Sequence, residues 1–172
     1  MARTGVITFK GTPMTLQGSE LKTGDKAPAF TLHYFEGGLK TLTQADLNGK
    51  PSIVSIVPSL DTGVCQIQTK RFNQELTGLG DSVNALTVSR DLPFAQNRFC
   101  GAEDVKGMKV GSDYQTGEFG NAWGVMIDEL KLLTRAVYVL DSQGKVVYGE
   151  IVPEVTSEPN YEAALTALKS AS

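Results

Sequence analysis

Two cysteines, one histidine and one tryptophan are all that this 172-residue chain carries of those residue types. Two cysteines are too few for a disulfide scaffold, and a reducing cytosol discourages a structural bridge, so the pair reads as transient and reactive. His33, alone beside two widely separated cysteines, offers no metal-ligand spacing, and neither metal nor cofactor is expected. No apolar run reaches the length of a membrane-spanning helix. The N-terminal "MARTGVITFKGTPMTLQG" lacks the apolar stretch of a secretory signal. Net charge is small as well: −3 gives no reason to expect nucleic acid or an anionic membrane as partner. A cytoplasmic protein is expected.

What is present is ordinary globular composition, 41% apolar and 20% charged, long enough for one well-buried core. A single domain over residues 1–172 is expected, with no repeat or linker. The N-terminus alternates like a short β-hairpin. Residues 22–50 read as loop-rich, with one short strand at 30–33. "SIVSIV" (52–57) is a continuous β-branched run between Pro51 and Pro58, the mark of a buried central strand. A helix follows over 64–78, with Val64, Ile67, Phe72 and Leu76 as its apolar side. Then come a strand at 82–89, a short helix at 92–102 opened by Pro93, a short strand in "GMKVGS" and a glycine-weakened helix in "GEFGNAWGV". Residues 134–152 form a hairpin around "DSQG", and "SEPNYEAALTALKSAS" closes the chain as a helix. The early β-α-β favours a parallel pair with a right-handed crossover, and the late hairpin adds antiparallel strands. The expected class is α/β: a thioredoxin-like mixed sheet flanked by helices, with an N-terminal β-hairpin.

Cys65 lies where that architecture places its reactive position, at the start of the helix after the first central strand. A thiol of ordinary pKa, about 8.5, is only a few per cent ionised at neutral pH, and the thiolate is the nucleophile. With Thr62 as N-cap, Gly63, Val64 and Cys65 open the helix, where unpaired amides and the dipole favour an anion. Asp61 opposes this, so a cation is needed. In "TRAVYVLD", alternation puts Arg135, Val137 and Val139 on one face. Two readings of Arg135 stay open on pattern alone: a buried guanidinium that needs an anion, or a strand-start arginine reaching to water.

Pro58, Thr62 and Cys65 fit the P-x-x-x-T-x-x-C signature of the peroxiredoxins. The stretches "PSLDTGVC", "DLPFAQNRFCGAE", "TRAVYVLD" and "TSEPNYEAAL" resemble the bacterial thiol peroxidase subfamily, the atypical two-cysteine peroxiredoxins, over essentially the whole chain. The resemblance implies that Cys65 is the peroxidatic cysteine and Cys100 its resolving partner, joined to it by an intramolecular disulfide. It implies that Thr62 hydrogen-bonds thiolate and peroxide, that Pro58 shields the site and that Arg135 is the catalytic arginine. It further implies hydroperoxide as substrate, thioredoxin as reductant and a homodimer. Thirty-four residues separate the cysteines, which fall in different expected helices. Since a disulfide needs Cα atoms within about 7 Å, both helix starts are expected to loosen between steps.

Other features read as structural. His33 is a satisfied or solvated histidine, and Lys70 and Arg71 a solvated helix face. Tyr114, Phe119 and Trp123 are packing residues unless they line the substrate entrance. Two competing functions remain, a thiol-disulfide oxidoreductase, although C-x-x-C is missing, and a redox sensor or disulfide-switched binding domain.

Overall fold

The computed structural model describes residues 1–47 and 49–171. Asn48, within the stretch expected to be loop-rich, and Ser172, at the end of the expected C-terminal helix, lie outside the described residues. In chain order come β1 (Ala2–Phe9), β2 (Thr12–Gln17), β3 (Thr31–Phe35), β4 (Leu39–Thr43), β5 (Ser52–Ile56), α1 (Gly63–Thr77), β6 (Asn84–Ser89) and α2 (Pro93–Ala102). They are followed by β7 (Lys109–Ser112), α3 (Glu118–Ala122), β8 (Met126–Ile127), β9 (Leu132–Leu133), β10 (Ala136–Leu140), β11 (Val146–Ile151) and α4 (Tyr161–Ser170).

The central sheet has the order β11-β10-β5-β6-β7-β3-β4, with β5, β6 and β7 parallel and the flanking strands antiparallel. β5 runs through its middle with all five residues buried, as a continuous apolar run requires. Its alternation divides the core. Ile53 and Val57 face a cluster built with α1, α2 and α4, while Val54 and Ile56 face a second cluster containing Phe119, Trp123 and Leu133. The expected thioredoxin-like mixed sheet with helices on both faces is what forms.

Each helix explains its own position. α1 buries Cys65, Gln68, Thr69, Phe72 and Leu76, and Phe72 meets Tyr161 of α4 edge-on at 5.2 Å. α4 opens on Asn160, whose side chain accepts the Ala163 amide at 3.0 Å. Gly120 lets α3 lie close to its neighbours, since a Cβ there would sit 2.6 Å from Leu133 Cδ2 and 2.7 Å from Met126 Cε. Phe119 and Trp123, both fully buried and stacked at 4.7 Å, are packing residues on the face away from α1. Burying side chains of that size is worth roughly 1.5–3 kcal/mol each.

Three features depart from expectation. Residues 39–43 form an edge strand, β4, in a segment read as loop; only Leu42 of it is buried, too little for a periodic signal. β8 and β9 extend the N-terminal hairpin into a four-stranded sheet, yet at two residues each they carry no periodicity. Ile67 is 52% exposed and does not belong to the apolar side of α1. At about 100° per residue it lies some 200° from Cys65, so the true buried face runs through Cys65, Gln68, Thr69, Phe72 and Leu76 and includes polar members.

Candidate active site

The turn after β5 delivers Cys65. Pro58 is buried and ends the strand, Ser59 accepts the Thr62 amide at 3.2 Å, and Thr62 takes extended geometry as N-cap. Helical bonding begins with the Gln66 amide on the Thr62 carbonyl at 3.0 Å. The amides of residues 63–65 find no acceptor among the described residues, leaving the positive end of a 15-residue helix at the sulfur. Cys65 itself is fully buried.

Arg135 meets it from the other side of the cleft. The antiparallel register sets Ala136 opposite Ile56, so the residue before β10 comes level with the end of β5, next to the turn that carries Cys65. The side chain is 2% exposed. Its Nη2 donates to Cys65 Sγ at 3.3 Å, Nη1 to Gln68 Oε1 at 2.9 Å and Nε to the Val155 carbonyl at 2.7 Å. No carboxylate lies within ion-pair distance of it among the described residues. A guanidinium taken out of water costs several kcal/mol unless an anion accompanies it. Of its hydrogen-bond partners among the described residues, the one able to become an anion is the Cys65 sulfur. The water-reaching reading of Arg135 is thus closed, and its alternation with Val137 and Val139 holds.

The arginine is held in turn by groups that sequence reasoning missed. Gln68 Nε2 donates to the buried Ser55 hydroxyl at 2.7 Å, which fixes the amide oxygen toward Arg135. Val155 belongs to a segment tied to the N-terminal hairpin: its amide donates to the Thr8 carbonyl at 2.9 Å, and Thr8 donates to Pro153 at 2.7 Å. Next to it, Glu154 accepts from Thr156, from the Gly11 amide and from Thr8. Those bonds, the Thr156 hydroxyl first, pull its carboxyl down to about 2. A polar residue three positions after Cys65 was the one available signal for Gln68. Val155 had none, because its backbone does the work.

Thr62 is exposed, and its hydroxyl donates to the Ser59 carbonyl at 3.0 Å instead of to the sulfur. Asp61 is exposed and lends only its amide to the turn, donating to Ser59 Oγ at 3.2 Å. Cys100 is half-buried in α2, against the same apolar cluster as Cys65, and the two thiols are unbridged. Burial pushes the Cys100 thiol up from its usual value of 9.0. The far end of α2 is fastened to α1 by Lys70, 2.9 Å from Glu103, and by Asn73, whose Oδ1 accepts the Lys106 and Gly107 amides. Arg71 lies over the Tyr161 ring at 4.6 Å, so the expected solvated face of α1 also makes contacts between elements. His33 meets Tyr114 edge-on, with no bond between it and either cysteine among the described residues.

Such a site can present a sulfur nucleophile and place a fixed positive charge beside it, with a second thiol on a neighbouring helix. Comparison with known proteins shows the family. The Redoxin family model matches residues 22–165. The thiol peroxidase of Bacillus subtilis (strain 168) is 52% identical over 95% of this chain and 96% of its own. That of Halalkalibacterium halodurans is 50% identical over 96% and 98%. The crystal structure of a peroxiredoxin-like protein from Aquifex aeolicus superposes with a TM-score of 0.90 at 38% identity, covering 99% of this chain and 98% of that one.

Proposed function

The chain belongs to the thiol peroxidases, peroxiredoxin-type enzymes of the redoxin family, and from that premise we propose that Cys65 reduces hydrogen peroxide and organic hydroperoxides. The observation that carries the reading is the guanidinium of Arg135, buried with no carboxylate beside it among the described residues and 3.3 Å from the Cys65 sulfur. Cys65 thiolate attacks the terminal peroxide oxygen. The O–O bond breaks, the leaving oxygen takes a proton and departs as water or alcohol, and the sulfur, oxidised by two electrons, is left as a sulfenic acid. Arg135 and the free amides at the start of α1 stabilise charge spread along the S–O–O line. Thr62 would turn its hydroxyl from the Ser59 carbonyl to the peroxide, and Pro58 keeps water from the sulfur.

Cys100 thiolate then displaces hydroxide from the sulfenic sulfur, closing an intramolecular disulfide. Thioredoxin, a dithiol, returns two electrons by exchange and restores both thiols. Both helix starts loosen to let the sulfurs meet. We place the enzyme in the cytoplasm as a homodimer. A coupled assay of peroxide consumption with thioredoxin and its reductase tests the reading. Turnover in the wild type, abolished in Cys65→Ser, supports it; so does a Cys100→Ser variant that completes one oxidation and then stops. Insulin reduction without peroxide turnover points to an oxidoreductase, stoichiometric oxidation without recycling to a sensor, and either result overturns the proposal.

A further inference from the structure

Between the two cysteine-bearing helices lies a carboxylate to which the chemistry above gives no part. Asp91 follows β6 and stands two residues before Pro93, the first residue of α2. Its Oδ1 accepts the Ser59 hydroxyl at 2.7 Å, and its Oδ2 accepts the Leu60 amide at 2.8 Å and the Ser89 hydroxyl at 2.7 Å. Ser59 passes the constraint on, because its carbonyl accepts both the amide and the hydroxyl of Thr62, the N-cap one turn before Cys65. In the other direction, Ser89 Oγ accepts Gln96 Nε2 at 2.9 Å. Gln96 is buried on α2, one turn before Cys100. One hydrogen-bonded chain therefore runs from the start of α2 to the start of α1, and the Asp91 carboxylate is its middle link.

We propose that Asp91 is a positioning residue that couples the two helix starts, so that the segment carrying Cys65 and the segment carrying Cys100 open and close together. The inference rests on the peroxidatic and resolving roles proposed above. While the link holds, the turn at residues 59–62 keeps the helix amides gathered at Cys65, as the first oxidation requires. When it breaks, the turn at residues 59–62 and the first turn of α2 loosen together, and α2 is left to the Gln96 bond to the Gly111 carbonyl and to its far-end contacts with Lys70 and Asn73. Asparagine in its place would offer one acceptor oxygen where three donors converge and would turn an N–H₂ toward them. Losing one charge-assisted bond of this kind shifts the closed-to-open ratio by about tenfold or more.

Two measurements on Asp91→Asn test this, with Ser59→Ala as a milder second variant should the first fold poorly. Hydrogen exchange of the reduced protein is expected to rise about tenfold or more in residues 59–66 and 90–100 together, with β5 and β10 unchanged. Rapid-quench mass spectrometry after mixing with peroxide is expected to show slower sulfenic acid formation by a similar factor, and a disulfide step as fast as in the wild type or faster. Ser59→Ala should show the same pattern at smaller amplitude. Exchange that rises in one segment only, or both chemical steps slowed equally, would reduce Asp91 to a structural residue and overturn the inference. A wild-type protein that forms no disulfide with peroxide would instead overturn the cysteine roles, and the exchange result would still decide the coupling.

Discussion

Cys65→Ala, made in the wild type and again in an Arg135→Met background, measures whether the buried pair carries charge. Two unit charges at the observed 3.3 Å attract by about 5 kcal/mol at an effective dielectric of about 20. A charge-assisted hydrogen bond alone contributes about 1.5–3 kcal/mol. With a thiolate present, Cys65→Ala strands a guanidinium that is 2% exposed, leaving it the neutral Gln68 and Val155 oxygens. Breaking a buried pair in that way costs about 3–5 kcal/mol. In the Arg135→Met background the same substitution removes only a small apolar group and costs about 1 kcal/mol. The expected coupling is therefore about 2–4 kcal/mol, read from urea unfolding of the reduced proteins at neutral pH. Arg135→Met alone should slow the first oxidation about 10²–10³-fold, the scale of losing a preorganised donor at developing charge. A coupling below about 0.5 kcal/mol, within the additivity of independent sites, would mean that the sulfur is uncharged in the folded protein and would refute the reasoning.

Two pH effects follow from particular groups. Burial raises the Cys100 thiol above its usual value of 9.0, so its neutral form is favoured in the fold. That stability is complete below the unfolded value and fades as pH rises through the folded one. In the proposed mechanism the Cys100 thiolate attacks, so disulfide closure should accelerate about tenfold per pH unit from neutrality to beyond the ordinary thiol value; a plateau reached below that value contradicts the burial seen here. Glu154, drawn down to about 2 by Thr156, Gly11 and Thr8, acts in the opposite sense. Its contribution is present above the ordinary carboxylate range and is lost as pH falls through about 2. The Gly11 amide resonance should follow that titration, and Glu154→Gln should remove it. An unshifted titration near the usual carboxylate value would detach the N-terminal hairpin from the Val155 segment that holds Arg135.

Much of the site was legible because its signals are local. A β-branched run between two prolines marks a buried strand wherever it packs, and the turn after it starts a helix with Cys65 in the first turn. Alternation through residues 135–139 is enough to put Arg135 on the same face as two core valines. Gln68 was harder, since a glutamine on a helix is ordinarily solvated, and only the position of the buried face shows that it points inward. Asp91 and Ser59 lie thirty-two residues apart, and neither looks unusual among its sequence neighbours. β4 leaves no periodic signal because an exposed edge strand need not alternate, and Ile67 is apolar yet stands about 200° from Cys65 on α1, outside the buried face.

By itself, then, the sequence determined the order of the main strands and helices, the helix-start setting of Cys65 and the faces of the central strands, since these depend on backbone preferences over a few residues. Only the tertiary structure decided that a guanidinium seventy positions away comes within hydrogen-bonding distance of that sulfur, with no carboxylate among the described residues to neutralise it. It also decided that one carboxylate ties both cysteine helices together. Those contacts depend on the antiparallel register of β10 on β5 and the parallel register of β6 beside it, which are set by how whole elements share one core and have no local signature.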